Sequence, residues 1–178
     1  QSGSESILRR MNRPYSVSEY QEAVRQVRDA VPDLAITTDV LVGFPGEGEG
    51  EFEESYRFCE KIGFAGIHVF PYSKRPDTVA ATMAEHVEER IKKHRSGRMM
   101  ALARRSARQF RSRFIGRTMT VLWEDKSGES LWSGRTANYL RVFARSEDAL
   151  AGRMQAARML AEHSDGLIGE IVQGGYYG

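Results

Sequence analysis

The stretch GFPGEGEGEFEE, Gly43 to Glu54, holds four glycines, one proline and five glutamates directly behind the apolar run DVLVGF. A glycine-rich turn between a strand and a helix lets backbone N–H groups approach a ligand closely, and helix N-termini favour anions. A phosphate is disfavoured here, because it would sit beside Glu47, Glu49, Glu51, Glu53 and Glu54. Those carboxylates suit the positive end of a following helix with no ligand at all. Two readings stay open. One is a turn that only starts a helix. The other is a seat for a nucleoside or other neutral cofactor against Val42, Gly43 and Phe44, at the strand end where α/β barrels place their chemistry.

A second stretch, HVFPYSKRPDT (His68 to Thr78), leaves an apolar run for a polar loop. His68 reads as a packed, hydrogen-bonded core histidine, and Lys74 and Arg75 as solvated or as loop cations. No Ser/His/Asp arrangement emerges, so no catalytic residue is assigned. The third stretch is cationic. Residues 90 to 117 carry 11 Lys or Arg and no acid, whereas residues 1 to 89 carry 9 basic and 16 acidic side chains, and 118 to 178 carry 6 and 8. Such a run is either a solvated face or, because uncompensated like charges call for an anionic partner, a surface for nucleic acid or an acidic protein; phosphate-backbone contact of a sequence-neutral, salt-sensitive kind is the expectation. Cys59 shares a helical face with Phe52 and Tyr56 and reads as inert core.

These residues need elements to hold them. Ser4 to Met11 reads as a short helix, and VSEYQEAVRQVRDAV as a longer one capped by Ser18 or by Ser16 with Glu19, stopped at Pro32. LAITTDVLVGF and AGIHVFPYS read as strands, the first buried on both faces as in a parallel sheet. Between them Glu51 to Ile62 is helical, with Gly63 as its C-terminal cap. His86 to Phe114 is a long helical pattern whose inner face is Val87, Ile91, Met99, Leu102, Ser106 and Phe110. RTMTVLWED, ESLWSGRTANYLRVFA and GLIGEIVQ are strand-like, with a partly helical stretch expected over 146 to 165. Helix and strand alternation is the α/β signature. Two strands cannot close a sheet, so the half-pattern asks for strands from elsewhere. The expected domains are 1–113, including a basic helix over about 86–113, and a small β-rich domain over 114–178.

The totals set bounds. The chain has 178 residues, 40% hydrophobic and 10% aromatic, with a net charge of +2. That suits one full domain or two small ones. No apolar run approaches the roughly 18 residues of a membrane span. A single cysteine excludes an internal disulfide and any multi-cysteine metal site, and fits a reducing, cytoplasmic setting. The polar start, without Met or a signal-peptide layout, gives the expectation of a fragment.

Four stretches in order carry a resemblance. QSGSESILRRMNRPYS, TTDVLVGFPGEGEGEFEES, HVFPYSKRPDTVAATM and GRTMTVLWED…SGRTANYLRVFA…GLIGEIV together resemble the C-terminal part of a radical-SAM methylthiotransferase. The resemblance covers essentially the whole chain. It implies the end of a partial (β/α) barrel followed by a TRAM domain, a small RNA-binding β-barrel. The HVFPYS wording is closest to the branch that acts on N6-threonylcarbamoyladenosine in tRNA (MtaB type). Related branches act on isopentenyladenosine in tRNA or on a ribosomal-protein aspartate, and a stand-alone RNA-binding module is the further alternative. The family uses S-adenosylmethionine and 4Fe–4S clusters to insert sulfur and a methyl group at C2 of an adenosine beside the anticodon. Its CxxxCxxC motif is absent here. With Cys59 as the lone thiol, the implication is an inactive piece whose N-terminal half lies elsewhere. Asp77 stands where the family has Gly, in a turn that expects a positive φ, and GEGEGEF replaces the usual GETEEEF.

By the same resemblance, Gln1 and Ser2 lie near the cofactor ribose. Arg13 is a partner for the S-adenosylmethionine carboxylate, and Val42, Gly43 and Phe44 flank its adenine. Tyr72, Ser73 and Arg75 line the barrel mouth on the substrate side. Arg104, Arg105 and Arg108 of the basic helix are expected to meet the anticodon stem-loop. So are Arg135, Asn138, Tyr139 and Arg141 of the small domain, where Tyr139 either stacks on a base or, with Trp132, fills the barrel core. No metal ligand is assigned, and no membrane is expected as a partner.

Overall fold

The computed structural model describes residues 1–172, so the last six residues of the expected 114–178 domain lie outside the described residues. Two compact units divide between Ala107 and Arg108. The first unit runs α1 (Glu5–Arg10), α2 (Val17–Ala30), β1 (Thr37–Val42), α3 (Glu49–Ile62), β2 (Gly66–Pro71), α4 (Val79–Thr82) and most of α5 (Glu89–Ser112). β1 and β2 pair in parallel, from Thr37 opposite Gly66 to Val42 opposite Pro71, and form a two-stranded sheet.

Local signals fix the ends of these elements. Ser16 Oγ accepts from the Glu19 N–H at 3.1 Å and the Glu19 carboxylate accepts from the Ser16 N–H at 2.7 Å, so α2 starts on a reciprocal cap. Gly63, at φ +62°, closes α3 in the left-handed conformation glycine adopts without strain. At the other end of α3 the Glu51 carboxylate accepts from the Gly48 N–H at 3.0 Å, which lets the helix begin at Glu49, two residues before the expected start. The core gathers Val24 from α2, Val40 and Val42 from β1, Phe52, Cys59 and Ile62 from α3, and Met99 and Leu102 from α5.

Two expectations about the sheet need correction. β1 is not buried on both faces: Thr37 and Asp39 are exposed while Val40 and Val42 are buried. His68 is exposed rather than packed, because strand alternation sends Ile67 into the core and turns its neighbour out, opposite Asp39.

The second unit contains β3 (Thr118–Lys126), β4 (Leu131–Thr136), β5 (Arg141–Arg145), β6 (Met154–His163) and β7 (Gly166–Ile171), closed into a barrel in the order β3-β4-β5-β7-β6. The stretch expected to be partly helical is instead strand β6. Its Ala157 and Met159 are fully buried, and hydrogen bonding to β3 on one side and β7 on the other outweighs alanine's helical preference. ESLWSGRTANYLRVFA folds into two strands, β4 and β5, joined by a turn at 137–140. Trp123 and Trp132 are both buried here, together with Val121, Val142 and Leu167.

Gly134 lies opposite Trp123 of β3. A Cβ there would stand 2.3 Å from the Leu122 carbonyl oxygen and 2.9 Å from the Trp123 Cα. Gly134→Ala is therefore expected to lower barrel stability by about 1 to 3 kcal/mol, the usual range for overpacking. The chain's two tryptophans both lie in β3 and β4, so their fluorescence during thermal or urea unfolding reads this directly. An unchanged midpoint would show that the strands can separate there without loss.

Candidate functional site

The glutamate-rich turn and the start of α5 form one structure. Arg95 is 4% exposed and its guanidinium donates to the Glu47 carbonyl at 2.7 Å, to Glu47 Oε1 at 3.1 Å and to Glu49 Oε2 at 3.2 Å. Glu47, also 4% exposed, turns the same Oε1 back to accept the Gly43 N–H at 2.9 Å. One helical turn before Arg95, Lys92 is buried. Its ammonium donates to the Tyr72 carbonyl at 3.1 Å and contacts Glu89. Gly43, at φ +77°, would place a Cβ 2.3 Å from Lys92 Cγ, so glycine is required both by conformation and by space. Arg98 completes the set, paired with Glu49 and Glu53 and stacked 4.9 Å over the Phe52 ring. The glutamates are thus the counter-charges of the cationic helix, which the sequence leaves apparently uncompensated.

Burial pushes the Glu47 carboxyl above its ordinary value of 4.5, with the Gly43 N–H and Arg95 pulling the other way.

Several of the residues expected around S-adenosylmethionine have partners within the chain. The Gly43 N–H is taken by Glu47, and the Val42 carbonyl accepts from the Tyr72 N–H at 2.8 Å. Phe44 packs edge-on against Tyr72. The Ser2 hydroxyl is buried and bonded to Ser55 Oγ at 2.7 Å and to the Ser4 N–H at 3.1 Å. Gln1 accepts from the Leu41 N–H through its carbonyl at 2.9 Å. Gln1 and Arg13 share an open polar pocket with Tyr15, Thr37, Thr38 and Asp39. An iron–sulfur cluster does not fit the residues present. Cys59 is the lone cysteine, is 2% exposed and has its thiol pushed up to about 12 by burial, while such a cluster takes three or four thiolates. Among the described residues no group of three or more His, Cys, Asp or Glu could hold a metal ion.

Of the three residues expected at a barrel mouth, Ser73 and Arg75 are exposed but Tyr72 is buried. Its N–H continues the ladder to Val42, and its ring packs with Ile7 and Phe44. Asp77 adopts φ +62°, the conformation the turn was expected to impose. On α5, Arg104 is exposed and without an ion pair among the described residues, whereas Arg105 pairs with Glu60 and Arg108 with Glu162 at 3.0 Å.

In the barrel the candidates gather at one hairpin. Arg135 and Arg141 are register partners at the base of the β4–β5 turn, held near Glu124 (3.5 Å) and Asp165 (3.1 Å) respectively. Asn138 is buried and accepts from Thr136 Oγ1 at 2.5 Å, so it shapes the turn from inside. Tyr139 is 77% exposed at φ +62°, which removes it from the core; Trp132 does fill the core. Left-handed backbone costs a non-glycine residue about 1 kcal/mol or more, and Tyr139 recovers little of that by burial. The exposure of Tyr139 could not be read from sequence, because aromatic residues fill barrels as readily as they decorate them.

Loss of Arg95 would strand a buried carboxylate. Arg95→Ala is expected to cost about 3 to 5 kcal/mol, and Glu47→Gln, which keeps an acceptor for Gly43, distinctly less. The raised folded-state value of Glu47 means the folded chain keeps a proton that the unfolded chain releases above 4.5. Stability from this group is therefore greatest below 4.5 and falls as pH rises through the raised value. Denaturant unfolding of the wild type and Glu47→Gln across that range should show this fall only in the wild type. Parallel pH profiles would overturn it.

Comparison with known proteins places the chain. A model of the radical SAM superfamily matches residues 1–59. The threonylcarbamoyladenosine tRNA methylthiotransferase MtaB of Bacillus subtilis is 35% identical over 164 residues, covering 90% of this chain and 36% of that protein. The tRNA-2-methylthio-N(6)-dimethylallyladenosine synthase of Acetivibrio thermocellus is 35% identical over 175 residues, 97% of this chain and 36% of that protein. The synthase of the same name from Thermobifida fusca is 44% identical over 128 residues, 72% of this chain and 26% of that protein. The chain spans 36% or less of the length of each of these three relatives. With an α/β unit followed by a closed five-stranded barrel, and this similarity running through both, the chain belongs to the radical-SAM methylthiotransferase family.

Proposed function

We propose that the chain is the C-terminal part of a tRNA methylthiotransferase that adds a methylthio group to C2 of N6-threonylcarbamoyladenosine beside the anticodon. The observation that carries this reading is the 35% identity, sustained over 90% of the chain, to a protein named for that reaction. S-adenosylmethionine and the 4Fe–4S clusters supply the radical chemistry. In this reading the cluster cysteines belong to the N-terminal half of the same cytoplasmic enzyme, and the chain alone is inactive. Its own lone, buried Cys59 supports that division. The barrel acts as the TRAM domain: Tyr139 offers a stacking face to an unpaired base, and Arg135 and Arg141 flank it with cations. Among the described residues no helix is long and apolar enough to cross a membrane.

A second reading, the dimethylallyladenosine branch, is favoured by relatives of that name at 35% and 44% identity. Mass spectrometry of tRNA nucleosides from cells lacking the gene separates the two. Loss of the 2-methylthio group from threonylcarbamoyladenosine is the expected result, and its loss from dimethylallyladenosine would move the protein to the other branch. An unchanged tRNA nucleoside profile with an altered ribosomal-protein aspartate would overturn both, and no change in either would favour a stand-alone RNA-binding module. In the same framework, Tyr139→Ala is expected to weaken binding of an anticodon stem-loop RNA by about 1 to 3 kcal/mol, the usual worth of one stacked base, measured by fluorescence anisotropy. Tyr139→Gly should weaken it equally while relieving the backbone, so that binding and melting temperature move in opposite directions.

A further inference from the structure

Helix α5 shows two faces. Lys92, Arg95, Met99, Leu102 and Ser106 are buried against the first unit. On the opposite side, Arg90, Lys93, Gly97 and Arg104 fall within an arc of about 60° at 100° per residue, and extend over about 21 Å of axis. Arg90, Lys93 and Arg104 are exposed, as is the neighbouring Met100 at 44%.

The charge balance differs between the faces. Lys92, Arg95, Arg98 and Arg105 are paired with Glu89, Glu47 and Glu49, Glu49 and Glu53, and Glu60. Among the described residues, Arg90, Lys93 and Arg104 make no ion pair, and they share one strip. At its centre is Gly97, the poorest helix former apart from proline. A Cβ added there would meet nothing within 4 Å, and the position has no positive φ, so neither packing nor backbone requires glycine. Its effect is to keep the middle of a cationic strip flat. A groove of about 560 Å³ borders it, lined by Val69, Pro71, Glu89, Lys93, Met100 and the buried Ser96; Glu89 is paired with Lys92, and the Ser96 hydroxyl has no partner among the described residues.

We propose that this strip is a docking surface for the phosphodiester backbone of RNA, which passes close over Gly97 with Arg90 and Lys93 on one side and Arg104 on the other. The inference rests on the tRNA reading and adds where the backbone lies outside the barrel. Unpaired cations spread over about 21 Å match a ladder of phosphates, at about 3.4 Å of axis per strand step, better than a protein surface, since protein interface cores are depleted in charge. The contacts are sequence-neutral and strongly salt-dependent. The expected arginines Arg105 and Arg108 give way to Arg90 and Lys93 as phosphate contacts, and Arg104 remains.

The test uses the 178-residue chain and a labelled anticodon stem-loop RNA across a salt series. Replacing Arg90, Lys93 and Arg104 together by Gln should reduce the slope of log affinity against log salt by about 2 to 3, and lower affinity roughly a hundredfold at about 0.1 M salt. Gly97→Leu, which changes no charge and improves helix propensity, should raise the melting temperature yet weaken binding with the salt slope unchanged. Arg25→Gln, an exposed cation on α2, should leave both affinity and slope as they are. If the triple variant stays folded by circular dichroism and keeps wild-type affinity and slope while Tyr139→Ala loses affinity, the strip is overturned and the tRNA reading stands. A wild-type chain that binds no RNA overturns both. If the triple variant unfolds, Gly97→Leu decides: binding at wild-type strength rules the strip out.

Discussion

The first unit depends on one buried contact, the Arg95 guanidinium against Glu47. Three separate segments meet there: the turn after β1, the start of α3 through Glu49, and α5. Because Glu47 also holds the Gly43 N–H, the contact fixes the backbone at the strand end. Two charges removed from water tolerate little displacement, since separation would leave each unpaired in a poorly polarisable setting. The same constraint requires Gly43, where a side chain would collide with Lys92. It also decides which cations of α5 are spent inside the unit and which face outward.

The barrel solves a different problem. Its closure pairs every strand with two neighbours, and Gly134, Gly166 and Gly169 stand where the backbone of another strand comes too close for a side chain. Given that frame, the β4–β5 turn can hold Tyr139 in a costly conformation, because Thr136 fixes the turn through its N–H, carbonyl and hydroxyl together. The strain is localised in one exposed residue and is borne by a rigid support, a common arrangement for residues that meet a partner.

Much of this was legible in the sequence where the cause is local. Ser16 with Glu19, Gly63 and the two apolar runs act over a few residues, and they gave the caps and the two strands, though not the burial of each strand face. The positive φ at Asp77 was implied by the glycine the family carries there. Long-range causes were not legible. Glu47 and Arg95 are 48 residues apart, and nothing in either stretch alone shows that one neutralises the other. His68 and β6 show the same limit from the other side. His68 sits among apolar residues but on the outward phase of its strand, and Met154–His163 has helical composition but lies between two strands that claim its backbone. For the candidate site, the hairpin residues could be named from sequence. Which of them face outward depended on turn geometry that sequence does not carry.

The two sheets differ in one further respect. The barrel has no edge, so its backbone offers no template for another strand. The β1–β2 ribbon has two edges, and along them the hydrogen-bonding groups of Thr37 to Val42 and Gly66 to Pro71 are only partly used, as by the single bond from Leu41 to Gln1. Such edges recruit strands, whether from a longer polypeptide or from other molecules. The unit with the ion-paired α5 is therefore also the one whose sheet can take on a further strand, whereas the closed barrel cannot.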